Sequence, residues 1–422
     1  MAANSELIKL GAEQEYRFET GKEGVTVQVV SGSAESFGAE AAEKAEYVFG
    51  PDTKASMYTW EGARLQVTGA VAEGYVAGST PMPMYANVHD SLQSLRNTAK
   101  ASGGKVGGPV VVVAGPQDVG KSSLCKILVN YAVREGGTPV YVDLDVGQGG
   151  VTVPGMLSAA ILERPFDIAT GVPEGSVPLV YFFGHTSPGE NIPLYDRMLE
   201  KVADQVSTTF AGSPDIGATG AIINTCGWID GKGLDILKHS IRVFDADIVL
   251  VLDNDRLAQV LTSHFSLDPT TTVVQLPKSG GVVTRSSPFR RAARAAKISE
   301  YFYGPYGDLC PAATPIYFRD VHIFRIGIGE AAPLSALPLG AEPEPEPIVL
   351  TKVLPTAELN SCLLAVSFAQ SEDEILDANI GGFLHVTDVQ VDKAKMMVLA
   401  PSHGELPGPF LLLGDIEWIQ EG

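Results

Sequence analysis

Residues 115–122 read GPQDVGKS, and this stretch decides the fold of the chain. It fits the pattern GxxxxGK[ST], in which glycines allow successive backbone N–H groups to face one concavity that holds phosphate oxygens. The all-apolar run Val110–Ala114 precedes it, as expected of a parallel strand that is buried on both faces. A helical pattern follows from Lys121 to about Arg134. Strand, loop and helix together predict a P-loop and argue against an inconsequential glycine-rich turn.

The pattern of strand and helix continues beyond this unit. Three more apolar runs, with helical stretches between them, are Val140–Leu144, Gly220–Thr225 and Asp247–Leu252. A last helix is expected near Phe289–Tyr301. Strands that alternate with helices predict an α/β fold around a parallel sheet.

The two ends of the chain have a different character. Short alternating runs such as Val25–Val30 and Ala63–Val67 are separated by turn signals and predict a β-sandwich. The Gly-, Lys- and Ser-rich stretch Lys100–Gly108 is typical of a linker. β-like patterns resume after Pro305, and the acidic run EPEPEP at 342–347 predicts an extended exposed loop. We therefore predict an N-terminal β-sandwich (1–98), a P-loop domain (99–305) and a C-terminal β-rich domain (306–422).

Composition excludes several classes of protein. The chain has 422 residues, of which 45% are hydrophobic and 19% charged, which indicates two or three globular domains. Neither a membrane-length apolar run nor a signal-peptide pattern is seen, so a cytosolic or nuclear protein with no membrane association is expected. Four widely spaced cysteines form no CxxC pair and are expected to be free thiols. The net charge of −20 disfavours broad, non-specific nucleic-acid affinity and makes any local basic patch informative.

The P-loop pattern assigns roles to two of its residues. Lys121 is expected to reach the β- and γ-phosphates, and the Ser122 hydroxyl to bind Mg²⁺. A second carboxylate should follow a neighbouring strand, and Asp145 and Asp253 both do. Asp145 is favoured because a glycine-flanked turn follows it, although either aspartate could simply cap a turn. Asp143 shares a side with Asp145 by period-2 alternation and is expected to support it.

No Asn-Lys-x-Asp guanine motif follows an apolar strand, which favours ATP over GTP. The segment 284–297 carries five cations and no anion; these are Arg285, Arg290, Arg291, Arg294 and Lys297. Arginine suits phosphoryl transfer because its planar fork binds two oxygens at once. Two interpretations stay open, a lid that closes over nucleotide and acceptor and a solvated basic helix.

Two further features point more weakly to an acceptor. The polar loop 183–189 follows an apolar run and could hold an acceptor, with His185 a weak candidate for a base. Trp228 follows a strand, where its indole could stack on a nucleobase or simply fill the core.

Several long motifs, in the right order, resemble one known family. They are GPQDVGKSSLCKILVNYAVREG, YVDLDVGQGGVTVPG, INTCGW, LPKSGGVV and FRRAARAAKISEYFYG. The chain is similar over nearly its whole length to the eukaryotic polynucleotide 5′-hydroxyl kinases of the Clp type, which are also a subunit of the pre-mRNA cleavage and polyadenylation machinery. The acidic EPEPEP run departs from the pattern of that family.

The resemblance implies ATP- and Mg²⁺-dependent phosphorylation of the 5′-hydroxyl end of RNA. It implies an adenine pocket that includes Glu15 and Lys54 of the N-terminal domain. It places Asp118, Val119, Gly120, Lys121, Ser122 and Ser123 against the phosphates. Asp145 is the implied base or metal-side carboxylate, and Arg290, Arg291 and Arg294 belong to the implied lid. Gln148, Thr186 and Trp228 are implied near the RNA end.

Rival functions remain open. Some fungal members of this family are thought to have lost kinase activity through changes in the P-loop and lid, but this chain keeps Lys121, Ser122, Asp145 and the lid arginines. We therefore expect an active nuclear kinase in mRNA 3′-end processing and tRNA splicing. Its implied partners are cleavage and polyadenylation factor subunits and tRNA splicing endonuclease subunits. The alternatives are a non-catalytic ATP-binding scaffold and a nucleotide-driven switch or metal-insertion ATPase.

Overall fold

The computed structural model describes residues 5–173, 175–267, 270–329 and 347–419. It contains three seven-stranded sheets, one in each of the three predicted regions. The EPEPEP run, up to residue 346, lies outside the described residues. Within the described part of the chain, no helix is both long and apolar enough to cross a membrane.

The N-terminal region is all β. Its strands are β1 (Ser5–Leu10), β2 (Gln14–Gly32), β3 (Ala34–Ser36), β4 (Ala39–Ala41), β5 (Glu46–Phe49), β6 (Lys54–Thr59) and β7 (Ala63–Val76). The strand order is β1-β7-β2-β6-β3-β4, with β5 beside β2. Val25, Val27 and Val29 alternate into the core of this unit, as the period of two requires. The predicted β-sandwich is confirmed.

A long helix that links the first two regions was not predicted. Helix α1 (Met82–Ala101) includes the start of the predicted linker at Lys100–Gly108, and the division proposed at residue 98 falls inside it. Its buried face is weakly apolar and includes Arg96, whose Nε donates to the carbonyl of Thr219 at 3.0 Å. A charged residue on the buried face breaks the usual helical pattern, which explains the omission. The divisions at 98 and 305 remain predictions.

The central sheet contains β8 (Val110–Ala114), β9 (Val140–Asp143), β10 (Met156–Ile161), β11 (Leu179–Phe182), β12 (Ala221–Asn224), β13 (Ile248–Leu252) and β14 (Thr272–Leu276). Its order is β11-β10-β9-β12-β8-β13-β14. Strands β9, β12, β8 and β13 are parallel, as predicted, and β14, which was not predicted, pairs parallel with β13. The expectation of a fully parallel sheet was incomplete, because β10 and β11 pair antiparallel at one edge. All four predicted strands are present.

Helices cover both faces of this sheet. After α1 they are α2 (Lys121–Arg134), α3 (Ile192–Gly212), α4 (Pro214–Thr219), α5 (Lys232–Val243), α6 (Asp255–His264) and α7 (Ser287–Tyr303). Val111 and Val113 of β8 face the core shared with α1 and α2. Val112 and Ala114 face the core shared with α3, α5 and α6. Strand β8 is thus buried on both faces, as its unbroken apolar sequence predicts.

The C-terminal sheet contains β15 (Ala312–Tyr317), β16 (His322–Ile328), β17 (Ile348–Val353), β18 (Cys362–Ser367), β19 (Ile380–Gln390), β20 (Lys395–Ala400) and β21 (Phe410–Glu417). Its order is β15-β20-β19-β18-β21-β16-β17. One face encloses a core of its own, which includes Leu364 and Val398. The other packs on the central domain, where Phe302 of α7 stacks on Trp418 with ring centroids 5.6 Å apart.

Polar contacts fix the N-terminal sheet against helix α2. The carboxylate of Glu35 accepts hydrogen bonds from the Tyr131 hydroxyl and from Arg134, the latter at 2.8 Å. Asn130 Nδ2 donates to the carbonyl of Phe37 at 2.8 Å. Buried hydrogen bonds of this kind are costly to leave unmade. They therefore hold the N-terminal strands in place beside the helix that follows the P-loop.

Helix α1 carries a histidine that should make stability depend on pH. Burial and the nearby Arg96 lower the pKa of His89 to about 4, although Asp90 opposes them. An unfolded histidine titrates near pH 6.5, so the stability that neutral His89 contributes is present above about pH 6.5 and is lost as the pH falls towards 4. Between pH 7 and pH 5, the free energy of unfolding of the wild-type chain should fall by about 1 to 2 kcal/mol more than that of His89→Gln, after allowance for solvent screening. Denaturant unfolding of both proteins at the two pH values measures this difference, and equal losses would contradict it.

Candidate nucleotide and acceptor site

The loop between β8 and α2 has the backbone of a phosphate cradle. Gly115 has φ 147°, and a Cβ there would lie 2.8 Å from the carbonyl oxygen of Leu252. Gly120, with φ 93°, is the N-cap residue directly before α2. Both positions therefore require glycine. The free N–H groups at the start of α2 face the loop, and these attract anions.

Lys121 is held over this loop. Its side chain is buried, and Nζ donates to the carbonyls of Gly115 at 2.9 Å and Pro116 at 2.7 Å. Burial lowers the pKa of Lys121, although the Asp145 carboxylate opposes this. The two carbonyls are weak partners for an ammonium group, so phosphate oxygens can replace them.

Two carboxylates at the end of β9 have different environments. Asp143 is buried and accepts hydrogen bonds from Asn224 Nδ2 at 2.9 Å and from the backbone N–H groups of Asp145 at 3.1 Å and Gly150 at 2.9 Å. Burial, together with the Asp145 charge, raises the pKa of Asp143 to about 6. Asp143 thus fixes the turn that carries Asp145.

Asp145 itself lines the main cavity and accepts a hydrogen bond from the Gly147 N–H at 3.1 Å. Burial raises its pKa, and Lys121 partly offsets that effect. Asp253, the other candidate from the sequence, lies outside the cavity and pairs with Lys278 at 2.6 Å. The geometry therefore favours Asp145, as the sequence did.

The cavity has a volume of about 510 Å³ and lies where the P-loop meets the N-terminal sheet and helix α7. All of the predicted phosphate-binding residues line it, namely Asp118, Val119, Gly120, Lys121, Ser122 and Ser123. So do Glu15 and Lys54 from the N-terminal sheet. Its size suits a nucleotide-sized ligand.

The two N-terminal residues belong to ion pairs in the cavity wall. Lys54 Nζ lies 2.6 Å from Glu19 Oε2, across the pairing of β6 with β2. Glu15 Oε2 accepts from Arg17 at 2.8 Å, and Arg17 also donates to the carbonyl of Ser79 at 3.1 Å. Both predicted residues thus come from strands that face the P-loop.

Helix α7 brings two of its three predicted arginines to the cavity. Arg290 donates to Asp118 Oδ2 at 2.6 Å, and the backbone N–H of Arg285 donates to the same oxygen at 2.9 Å. Although burial raises the pKa of Asp118, these hydrogen bonds bring it below its ordinary value. Arg294 lines the cavity, one helical turn after Arg290. Arg291 is exposed and does not line the cavity, so the structure does not bring it to the site.

The predicted acceptor residues lie on the Asp145 side of the cavity. Gln148, Thr186 and Trp228 all line it. A Cβ on Gly147 would lie 3.2 Å from the Thr186 carbonyl, so the two turns touch. A Cβ on Gly227 would lie 2.6 Å from the backbone N of Gln117, so glycine is needed for Trp228 to sit this close to the P-loop.

The cavity wall also contains residues to which the sequence assigned no role. Arg17, Tyr85 and Cys226 line the cavity, as do residues of the loop 279–283. The Tyr85 hydroxyl donates to the carbonyl of Pro277 at 2.7 Å, and a Cβ on Gly281 would lie 2.7 Å from Arg17 Cδ. The loop lies within the motif LPKSGGVV, and its glycine pair at 280–281 indicated a close approach to another segment. The sequence gives no signal for Arg17, because charged residues are common at alternate positions of a strand.

No cluster of three or more His, Cys, Asp or Glu side chains among the described residues could hold a metal ion. Ser122, the predicted Mg²⁺ residue, is exposed in the cavity directly beside Lys121. One hydroxyl beside a phosphate cradle fits Mg²⁺, since that ion is usually bound by one or two protein oxygens together with substrate phosphates and water.

The fold and the cavity define a P-loop protein with a β-domain on either side. Residues 115–304 match the family described as "mRNA cleavage and polyadenylation factor CLP1 P-loop". Residues 9–99 match "N-terminal beta-sandwich domain of polyadenylation factor", and residues 309–420 match "Pre-mRNA cleavage complex II protein Clp1". The chain belongs to the CLP1 family.

Full-length relatives agree with this assignment. The chain is 42% identical to "Protein CLP1 homolog" of Arabidopsis thaliana, over 99% of this chain and 95% of the relative. It is 40% identical to "Polyribonucleotide 5′-hydroxyl-kinase Clp1" of Mus musculus, over 98% of this chain and 96% of the relative. The fold matches Clp1p in a solved Clp1p–Pcf11p complex, with a TM-score of 0.85, 24% identity and full coverage of both chains.

Proposed function

We propose that this protein is an ATP-dependent RNA 5′-hydroxyl kinase. It transfers the γ-phosphate of ATP to the 5′-hydroxyl end of RNA in mRNA 3′-end processing and tRNA splicing. The observation that carries the proposal is the arrangement of one cavity. The P-loop with Lys121 lies at its base, Asp145 lies beside the turn of Thr186, and Arg290 and Arg294 reach it from α7. The site for the phosphate donor, the site for the hydroxyl acceptor and the arginines of α7 thus share one cavity.

The nucleotide is assigned to specific surfaces of the cavity. The phosphates lie on the N–H groups of residues 118–123, and Lys121 contacts the β- and γ-phosphates. The base lies between Glu15, Lys54 and the other side chains of the N-terminal wall. Ser122 would hold Mg²⁺, and the ion would supply positive charge that offsets the charge of the phosphates.

The reaction is an in-line displacement. Asp145 orients the ribose 5′-hydroxyl and accepts its proton while the 5′-oxygen forms a bond to the γ-phosphorus. The bond from that phosphorus to the β–γ bridging oxygen breaks, and ADP leaves with the electron pair. Lys121, Arg290 and Arg294 offset the charge on the transferring group. The raised pKa of Asp145, which burial causes, makes this carboxylate a better proton acceptor than an exposed aspartate.

RNA as the acceptor is supported by the name of the mouse relative, a polyribonucleotide 5′-hydroxyl-kinase. Recognition is confined to the 5′ end, through Gln148, Thr186 and Trp228. A chain with a net charge of −20 disfavours extended contact with the phosphate backbone, and a few contacts at one end are compatible with that charge.

The same name and family descriptions suggest a cellular setting. We place the protein in the nucleus, with subunits of the cleavage and polyadenylation factor and of the tRNA splicing endonuclease as partners. The matched description as a pre-mRNA cleavage complex II protein and the Clp1p–Pcf11p structure support the first group of partners.

A non-catalytic ATP-binding scaffold is the main rival. Incubation of the purified protein with γ-labelled ATP, Mg²⁺ and an oligoribonucleotide separates the two functions. We expect label on an RNA with a free 5′-hydroxyl and none on the same RNA already phosphorylated at its 5′ end. Tight ATP binding without any label on the 5′-hydroxyl RNA would overturn the proposed kinase activity and favour the scaffold function.

Neighbouring arginines of α7 provide an internal test of the lid. Arg290→Ala is expected to lower kcat for RNA phosphorylation by about 10²-fold, because its guanidinium reaches the cavity. Arg291→Ala removes the same charge from the same helix at an exposed position and should change kcat by less than about 3-fold. Steady-state kinetics of both variants measures the contrast. Equal losses would show that only the overall charge of the helix matters.

A further inference from the structure

The C-terminal domain reaches the acceptor loop through Gly414 and Asp415, near the end of β21. The backbone N–H of Asp415 donates to the carbonyl of Gly184 at 2.8 Å. A Cβ on Gly414 would lie 2.2 Å from the same carbonyl oxygen, so the two chains approach backbone to backbone. Gly184 is two residues before Thr186, the predicted contact of the RNA end. The loop is therefore anchored on its outer side by the third domain.

Side chains add a second link at the same point. His185 Nδ1 lies 2.7 Å from Asp415 Oδ2, and Arg325 of β16 donates to Asp415 Oδ1 at 2.7 Å. The imidazole also packs on Phe183, with ring centroids 5.2 Å apart. Each oxygen of the carboxylate thus has its own partner, which fixes the orientation of the imidazole.

The inner side of the loop contacts the catalytic turn. The N–H groups of Phe183 and Gly184 donate to the carbonyl of Gly155 at 3.1 and 2.8 Å, and the Thr186 carbonyl lies against Gly147. Gly155 in turn donates to the carbonyl of Val146, directly after Asp145, at 2.8 Å. The acceptor loop is thus bounded by the Asp145 turn on one side and by Asp415 on the other.

We propose that Asp415, acting through His185, is a positioning residue that holds Thr186 in place for the RNA end. The C-terminal domain is then part of the acceptor site, although it lines none of the nucleotide cavity. His185 is not assigned as a base in this arrangement, because it does not line the cavity that Asp145 and Thr186 line. The inference rests on the proposed function, since the ligand of the loop is the 5′-hydroxyl end of RNA.

The test uses Asp415→Ala and His185→Ala in the full chain. Each should lower kcat/KM for the 5′-hydroxyl RNA by about tenfold, because misplacement of an acceptor is costly, while KM for ATP stays within about twofold of wild type. The two effects should not add in the double variant, because both remove the same link. His185→Asn offers an amide nitrogen that can still donate to Asp415, and it should recover activity to within about threefold of wild type.

Asp377→Ala is the matched control. Asp377 also belongs to the C-terminal region, and it pairs with Arg197 at 2.7 Å and Lys201 at 3.1 Å on α3. It should leave RNA kinetics within about twofold of wild type. An equal loss in Asp377→Ala, or a parallel rise in KM for ATP in Asp415→Ala, would reduce Asp415 to a general stabiliser of the domain interface and overturn the inference.

A binding assay separates this inference from the proposed chemistry. The anisotropy of a 3′-fluorescein oligoribonucleotide with a free 5′-hydroxyl is measured with Mg²⁺ and a non-hydrolysable ATP analogue. Positioning predicts that Asp415→Ala raises the Kd by about tenfold relative to Asp377→Ala. If the wild-type protein shows no turnover but the two variants still differ in Kd, the proposed kinase activity is overturned and the positioning role is kept. Equal Kd values for the two variants and wild type would overturn the positioning role whatever the turnover.

Discussion

Replacing Lys121 with alanine is expected to reduce kcat/KM for RNA phosphorylation by about 10³-fold. The ammonium is buried in the cavity wall and donates to the carbonyls of Gly115 at 2.9 Å and Pro116 at 2.7 Å. When ATP binds, oxygens of the γ-phosphate replace these two carbonyls as partners of the ammonium. The positive charge of Lys121 then lies beside the phosphoryl group that is transferred. The stability of the nucleotide-free protein should fall little, because burial already disfavours the charged form.

Lys126→Ala provides the control for this loss. Lys126 lies on the same helix, outside the nucleotide cavity, with its ammonium 5.7 Å from the centre of the Phe166 ring. Its replacement should change kcat/KM by less than about threefold. Thermal unfolding of both variants confirms that each is folded. Label transfer by Lys121→Ala at a rate close to that of Lys126→Ala would contradict the placement of the phosphates on this loop.

Asp145→Asn is expected to lower kcat for RNA phosphorylation by about 10³-fold while KM for ATP stays nearly constant. The amide oxygen of asparagine can still accept the hydrogen bond from the Gly147 N–H, so the turn is kept. What is lost is a group that can take a proton from the 5′-hydroxyl. The loss should therefore appear in the chemical step and not in nucleotide binding.

Asp253→Asn is the matched variant, since it makes the same change at the end of another strand. Its carboxylate pairs with Lys278 at 2.6 Å outside the cavity. Kinetics within about threefold of wild type are expected. If Asp253→Asn lost as much activity as Asp145→Asn, or if Asp145→Asn kept wild-type kcat, the assignment of the proton acceptor would be wrong.

Sequence reasoning located the P-loop because that site depends on local rules. The four-valine strand, the glycines at positive φ and the helix follow one another directly in the sequence. The choice of Asp145 over Asp253 was equally local, because only Asp145 is followed by a glycine-rich turn. The structure brings Asp145 and the P-loop into one cavity.

Features that depend on packing between distant segments were harder to predict. Helix α1 was not predicted because its buried face contains Arg96, whose Nε donates to the carbonyl of Thr219, 123 residues away. The antiparallel strands β10 and β11 were not predicted, and their pairing depends on contacts between separate segments of the chain. Arg291 could not be separated from Arg290 by composition, because the direction in which α7 faces is set by its contacts with other elements. Asp415 lies 230 residues from His185 and could be found only from the fold.

The fate of the γ-phosphate tests the central claim most directly. A single-turnover reaction with γ-labelled ATP, Mg²⁺ and a 5′-hydroxyl oligoribonucleotide separates labelled RNA from labelled inorganic phosphate. The proposed site predicts that nearly all transferred label appears on the RNA 5′ end, and that Asp145→Asn suppresses it. Label found only in inorganic phosphate, at a rate that RNA does not change, would contradict the account.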